Sequence, residues 1–83
     1  MKLTLRYFAS VREAIGQGSE SCETGAATLG DLRDELIARG GVHAAALARG
    51  RAVRMALDQV MCEESAALHE AAEVAFFPPV TGG

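Results

Sequence analysis

The chain has 83 residues, of which 49% are hydrophobic and 23% are charged, and its formal net charge is −3. This length allows one small domain with a single core, and the composition is that of a globular chain rather than a disordered one. The negative charge argues against a nucleic-acid partner. No apolar run approaches the roughly 18 residues that span a bilayer, so no membrane partner is expected. The alternating, charged start is unlike a signal peptide, which predicts a cytoplasmic protein.

The first predicted elements are a strand and a short helix. Residues 2–8 alternate with period two, which is typical of a half-buried strand. One face carries Leu3, Leu5 and Tyr7, and the other carries Thr4, Arg6 and Phe8. Ser10 precedes Glu13 at capping-box spacing and predicts the start of a helix that ends at Gly16. Residues 19–24 predict a weaker second strand.

The main helix is predicted to follow Thr28, with Asp31 three residues later in a similar capping arrangement. Its apolar stripe predicts a core-facing surface rather than a binding groove. The helix should end at the pair Gly40-Gly41. The stripe consists of Leu29, Leu32, Leu36 and Ile37.

The second half of the chain predicts a short helical turn and three strands. Residues 42–49 favour the turn, and residues 51–57 favour a third strand with Val53, Met55 and Leu57 inward. Asp58-Gln59 is a plausible hairpin turn into a fourth strand at residues 60–62. Leu68 should anchor the crossing to a last strand at residues 73–77.

The cysteines and histidines do not suggest a metal or nucleophile site. Cys22 and Cys62 are far apart in sequence, and no histidine stands at ligand spacing from either. A zinc site needs about four such ligands, so we predict no metal and assign the cysteines structural roles. His43 and His69 are predicted to be solvated surface side chains.

The chain ends in an unusual segment that follows the last strand. Pro78 and Pro79 cannot donate ladder hydrogen bonds, so they end the sheet and begin a stiff, extended tail. Val80 and Thr81 lead to Gly82 and Gly83, and the glycines have no side chain and wide backbone freedom. Six residues reach at most roughly 20 Å. Such a tail suits delivery of a terminal carboxylate into a narrow pocket of another protein.

Two stretches carry a family resemblance that spans the whole chain. The tail FFPPVTGG and residues 7–13, YFASVRE, resemble the small subunits of molybdopterin synthase, a family of ubiquitin-like sulfur carriers that end in Gly-Gly. The element order of two early strands, a long helix and a late strand matches an α+β, β-grasp fold with a mixed sheet and short additional helical turns. The resemblance implies that the last strand lies parallel to the first. It also implies a β-grasp domain at residues 1–77 and an extended tail at residues 78–83.

The resemblance implies that the chain supplies sulfur rather than a catalytic cluster of its own. An ATP-dependent adenylating enzyme would activate Gly83, and a sulfur donor protein would convert it to a thiocarboxylate. The tail, with Gly82 beside the reacting carbon, would then enter the large synthase subunit and transfer sulfur to a cyclic pyranopterin phosphate. The chain would bind no cofactor, since ATP is consumed by the activating enzyme. The expected assembly is a heterotetramer of two small and two large subunits.

A partner-binding surface is predicted beside the tail. If Leu5 and Val74 face the helix, period two directs Phe8 and Phe77 away from it, and Met61 can join them. The alternative is that Phe8 packs under the short helix and Phe77 under the tail. The resemblance favours the docking surface and implies that Arg12 reaches an acidic surface of the activating enzyme.

Three other functions remain open at this point. The chain resembles sulfur carriers of other pathways, such as thiamine thiazole synthesis, in fold, diglycine and adenylation. A ubiquitin-like modifier attached through Gly83 is a second alternative, although Lys2 as the single lysine disfavours chain building. A plain interaction domain with an inert diglycine is the third.

Overall fold

We describe a computed structural model of the chain that covers residues 1–79. The elements in chain order are strand β1 (Lys2–Tyr7), helix α1 (Ala9–Ile15), strand β2 (Ser19–Glu23), helix α2 (Leu29–Ala38), helix α3 (Gly41–Leu47), and strands β3 (Arg54–Leu57), β4 (Val60–Met61) and β5 (Glu73–Phe77). The predicted order of elements is confirmed. The third strand is shorter than predicted, because it begins at Arg54 rather than at residue 51.

The five strands form one mixed sheet in the order β2-β1-β5-β3-β4. Strands β1 and β5 are parallel, and the other neighbouring pairs are antiparallel. The predicted parallel return of the last strand beside the first is therefore confirmed. This order makes β5 the central strand of the sheet, so the chain leaves the fold from the middle of the sheet.

The core lies between one face of the sheet and the three helices. Leu29, Leu32 and Leu36 of α2 are fully buried, as the apolar stripe predicts. The alternating residues of β1 meet them from the sheet side. Other members of the same cluster are Val11, Ile15, Ala46, Leu47, Met55, Leu68, Val74 and Phe76. Because the three helices within residues 1–79 all contribute to this one core, none of them covers the opposite face of the sheet.

The two main helix caps differ in how well sequence predicts them. At α2 the prediction is confirmed, because the backbone N–H of Asp31 donates to the Thr28 hydroxyl at 3.1 Å. At α1 the prediction is wrong, because the N-cap residue is Phe8 and Ser10 lies inside the helix. The Phe8 carbonyl accepts from the N–H groups of Val11 and Arg12 at 3.1 and 3.2 Å. The helix therefore begins before Ser10, directly where β1 ends.

The predicted hairpin at Asp58-Gln59 is confirmed, since Leu57 pairs with Val60 across it. Both turn residues have positive φ, 49° and 69°, as the tight hairpin turns require even without glycine. The Asp58 carboxylate accepts from the backbone N–H of Glu73 at 3.0 Å and lies 2.6 Å from His69. The hairpin is thereby fixed to the start of β5.

A buried arginine that the sequence reasoning did not single out connects α2 to α3. The Arg33 guanidinium donates to the carbonyl oxygens of Leu47, Ala48 and Arg51 at 2.8 to 3.1 Å, and lies 3.3 Å from the Glu64 carboxylate. These bonds satisfy carbonyls at the end of α3 and in the following loop. Nothing in the local sequence distinguishes this arginine from the exposed ones.

Over residues 1–79, none of the helices has the length and apolar character needed to cross a membrane.

Candidate functional site

The site that the geometry offers is the place where β5 ends. Phe77 is the last residue of β5 and Pro78 follows it outside the sheet. The backbone N–H of Phe8 donates to the Phe76 carbonyl at 3.1 Å. The chain therefore leaves the central strand directly beside the start of α1. The tail residues Val80, Thr81, Gly82 and Gly83 lie outside the described residues, so their predicted roles stay predictions.

The exposed sheet face around this point carries the predicted docking residues. Phe8 is 42% exposed and Met61 57%, whereas Phe77 is half-buried. Their sequence neighbours Tyr7 and Phe76 are buried in the core. The alternation thus directs Phe8 and Phe77 away from the helices. We call Phe8, Met61 and Phe77 the apolar patch.

The strand register shows how the patch is spread over the sheet. Phe8 follows Tyr7, which pairs with Phe76, so Phe8 and Phe77 lie at the same end of neighbouring strands. Met61 pairs with Ala56, which pairs with Ala75, so Met61 lies at the sheet edge, two strands from β5. Ala56 and Ala75 are only 6% and 8% exposed, although none of the described helices covers this face. Small, shielded alanines therefore form a shallow floor between the larger patch residues.

Arg12 lies beside the aromatic end of the patch. It is an exposed residue of α1, and its side chain lies over Gly18, where an added Cβ would be 3.2 Å from Nε. Arg6, Phe8 and Arg12 share a groove of about 470 Å³ on the outer side of β1. Among the residues that the structure describes, no carboxylate lines this groove.

Two further arginines belong to the same sheet face and were missed as site residues. Arg6 pairs with Ala75, and Arg54 pairs with Phe77, so they stand on either side of β5. The Arg6 guanidinium lies 5.5 Å from the centroid of the Phe8 ring and 3.5 Å from the Glu73 carboxylate. The period-two pattern that placed Arg6 on the Phe8 face could have identified it. Arg54 could not be placed without the register of β3 against β5.

The best-connected titratable group lies away from this surface, on the core face of the sheet. The Glu20 carboxylate accepts from the Tyr7 hydroxyl and the Arg39 guanidinium and pairs with His43, each at 2.8 Å. Burial alone would raise the pKa of Glu20, but the hydrogen bonds from His43, Arg39 and Tyr7 lower it to about 2. Burial, and then the bond to Glu20, raises the pKa of Tyr7.

This Glu20 cluster is structural, because its charged and polar groups are paired with one another. It connects β1 and β2 to Arg39 at the end of α2 and to α3. The prediction that His43 is a solvated surface side chain is wrong, since its side chain is 14% exposed. His69 is exposed, as predicted, although it pairs with Asp58.

Of the two cysteines, Cys22 and Cys62, the first lies next to the Glu20 cluster, with its Sγ 3.5 Å from the Arg39 guanidinium. Both are free thiols; Cys22 is buried, and burial raises its pKa. Cys62 is half-buried, with its Sγ 3.2 Å from the Val60 carbonyl oxygen. Across residues 1–79 no group of three or more His, Cys, Asp or Glu side chains could hold a metal ion.

Comparison with known proteins matches this chain over nearly its full length. A model of the ThiS family matches residues 5–83. The chain is 37% identical to a molybdopterin synthase sulfur carrier subunit of Haemophilus influenzae over 98% of this chain and 99% of that protein. It is 36% identical to the protein of the same name from Escherichia coli, over 93% of this chain and 94% of that one.

Solved structures show the same fold. SAMP1 from Haloferax volcanii superposes with a TM-score of 0.79 at 25% identity, with both chains fully covered. A chain of the complex of subunits 1 and 2 of molybdopterin-converting factor from Helicobacter pylori superposes with a TM-score of 0.68 at 21% identity, again with full coverage of both. These likenesses agree with the ubiquitin-like β-grasp class that the element order predicts.

Proposed function

The chain belongs to the ThiS family, and on that premise we propose that it is the sulfur carrier subunit of a molybdopterin synthase. The observation that carries the proposal is the pair of sulfur carrier relatives, 37% and 36% identical over almost the whole chain. The diglycine at Gly82 and Gly83 provides the chemistry that such a carrier needs. The position of β5 at the centre of the sheet, next to an exposed apolar patch, supports the same role.

The proposed chemistry takes place at the Gly83 carboxylate. A carboxylate is a poor electrophile, because its charge is delocalised and its leaving group would be oxide. An adenylating enzyme therefore joins Gly83 to AMP from ATP and releases pyrophosphate. Sulfide-level sulfur supplied by a sulfur donor protein then attacks the Gly83 acyl carbon, AMP leaves, and the chain ends in a thiocarboxylate. ATP serves only this activation, and the chain itself holds no cofactor in this scheme.

The second stage is transfer within the synthase. The tail enters the large subunit, and the terminal sulfur bonds to a carbon of a cyclic pyranopterin monophosphate to give a thioester. Water then cleaves the bond between sulfur and the Gly83 acyl carbon, which leaves sulfur on the pterin and returns Gly83 to a carboxylate. Two such transfers complete the dithiolene of molybdopterin. We propose a heterotetramer of two small and two large subunits, working in the cytoplasm. The named complex of subunits 1 and 2 of the converting factor in Helicobacter pylori supports a large-subunit partner.

The described part of the chain fits a carrier that depends on its partner for acid–base chemistry. Its half-buried Glu20 and buried Arg33 are engaged in hydrogen bonds within the fold. Its exposed large apolar side chains include Phe8 and Met61 on the face beside the end of β5. In this role the chain contributes the sulfur atom and the docking surface of a two-subunit sulfurtransferase.

The test is the intact mass of the chain after incubation with the adenylating enzyme of its host, ATP and a sulfur source. We expect a mass gain equal to the replacement of one oxygen by sulfur, located at Gly83 by fragmentation. A control lacking ATP should show no gain. Absence of the gain under conditions that load a known carrier would refute the proposal.

The acceptor then separates the related functions. The loaded chain, mixed with the large subunit and cyclic pyranopterin monophosphate, should lose sulfur as the dithiolene forms. Sulfur transfer only to a thiamine thiazole precursor would indicate the other pathway. An amide bond from Gly83 to a lysine of another protein would indicate a modifier.

A further inference from the structure

We propose that Arg6 and Arg54 make the docking face selective for a large subunit that presents carboxylates on both sides of an apolar strip. This inference rests on the proposed function and specifies the partner surface of that same site. The two guanidiniums belong to the strands on either side of β5 and to the face that carries the apolar patch. From the strand spacing and the two-residue offset, their Cα atoms are roughly 12 Å apart.

The distribution of charge supports this proposal. The chain has a net charge of −3, yet arginines gather where β5 ends. Arg33, Arg39 and Arg49 are bound to carboxylates within the fold. In the part of the chain that the structure describes, Arg12, Arg51 and Arg54 make no ion pair, and Arg6 makes one exposed pair with Glu73. A local positive region on an acidic molecule steers an acidic partner surface toward that face.

The two arginines are suited to recognition in different ways. Arg6 has two neighbours on the exposed face, the Phe8 ring and the Glu73 carboxylate, which restrict the space open to its side chain. A guanidinium that is already ordered loses less conformational freedom when it binds, and its remaining N–H groups can still bind a carboxylate. Arg54 is exposed and stands across from Phe77.

Three glutamates lie near these arginines, and two of the three are bound by arginines within the fold. Glu73 is shared with Arg6, and Glu63 and Glu64 line the groove of about 250 Å³ that Arg54 and Met61 also line. Glu64 is bound by Arg33 and Arg49. Aromatic residues and arginines are also among the residue types that contribute most to the binding energy at protein interfaces.

The test compares association rates with the purified large subunit of the same organism. Arg6→Gln, Arg54→Gln and the double variant are measured by stopped flow at 25 and 300 mM NaCl. Lys2→Gln is the matched control, because it removes one positive charge from the other end of β1. At low salt we expect about threefold slower association for each arginine variant and about tenfold for the double variant. The difference should nearly vanish at 300 mM NaCl.

Phe8→Ala separates charge from apolar contact. It should mainly speed dissociation, because the loss of buried apolar area affects the bound state more than the encounter. If the double variant associates no more slowly than Lys2→Gln while the unmodified chain binds normally, the role of the arginines is overturned. The proposed function then stays intact. Failure of the unmodified chain to bind the large subunit at either salt concentration would overturn both.

Discussion

At the scale of single residues, Glu20 is the centre of a hydrogen-bonded cluster that connects several elements of the fold. Its carboxylate joins Tyr7, Arg39 and His43, which come from three different elements or their ends. A carboxylate that accepts several hydrogen bonds in a largely buried setting strongly favours its charged form. Its lowered pKa of about 2 therefore stabilises the folded chain relative to the unfolded one.

We predict that Glu20→Gln lowers the free energy of unfolding at pH 7 by about 2 kcal/mol. The stabilisation from a lowered carboxyl pKa is complete above the unfolded pKa and is lost as pH falls. The difference between variant and parent should therefore shrink as pH falls from about 4.5 to about 2. Urea denaturation at pH 7, 4 and 2.5 measures it. Glu13→Gln, at an exposed position of α1, is the control. An equal loss at pH 7 and pH 2.5 would contradict the electrostatic explanation.

Ala71 carries local backbone strain in the turn before β5. Its φ is 65°, and the left-handed region is unfavourable for any residue with a Cβ. We predict that Ala71→Gly raises the free energy of unfolding by about 0.5 kcal/mol, since removing the Cβ strain slightly outweighs the extra freedom of the unfolded chain. Ala45→Gly, at an exposed position within α3, should lower it by about 1 kcal/mol. Thermal unfolding of the two variants should shift in opposite directions, and shifts of the same sign would refute the interpretation.

At the scale of elements, Arg33 fixes the position of α3 and the loop after it. Its guanidinium reaches three backbone carbonyls, a geometry that its rigid fork of donors allows. We predict that Arg33→Met lowers the free energy of unfolding by about 3 kcal/mol, because the carbonyls lose their partners. Arg33→Lys should lose most of this stability although it keeps the charge.

Urea denaturation measures both variants, and Arg51→Met serves as the control because the Arg51 side chain is exposed. We expect the control to stay within about 0.5 kcal/mol of the parent chain. Full stability of Arg33→Lys would show that charge, rather than donor geometry, holds the loop.

Periodic elements are the part of the fold that sequence predicts well. The alternation of β1, the stripe of α2 and the bounds of β5 all agree with the structure, because each pattern reports which face is buried. The Ser10 cap fails because the helix begins at the end of β1, where the Phe8 carbonyl already accepts helical N–H groups. Local capping chemistry cannot predict that connection.

The candidate site was predictable to a similar extent and for the same reason. The outward positions of Phe8 and Phe77 follow from the period-two alternation of their strands. Arg54, in contrast, becomes part of the site only through its pairing with Phe77. The roles of Glu20 and Arg33 depend on partners 13 to 31 residues away in sequence. Interactions over such separations leave no periodic signal, so they appear only with the tertiary structure.

At the scale of the whole molecule, the proposed function divides docking from chemistry. The described domain presents the apolar patch and its arginines beside the end of β5, while the proposed function assigns the reacting carboxylate to Gly83. Variants of the two parts should therefore have different kinetic effects. Loss of docking reduces apparent affinity for a partner, whereas a poorly fitting tail slows the step that follows binding.

We predict that Phe8→Ser raises the KM for the chain in adenylation about tenfold and changes kcat less than twofold. Gly82→Ala should instead lower kcat at least tenfold with an unchanged thermal unfolding midpoint, because an added Cβ would obstruct the narrow partner pocket that the tail is proposed to enter. Val42→Ser is the control for Phe8→Ser, since Val42 is 48% exposed and belongs to α3, away from the docking face. Initial rates of pyrophosphate release over a range of chain concentrations measure both parameters. A fall in kcat alone for Phe8→Ser would place Phe8 in the chemical step. A normal kcat for Gly82→Ala would show that the partner pocket for the tail tolerates a side chain at this position.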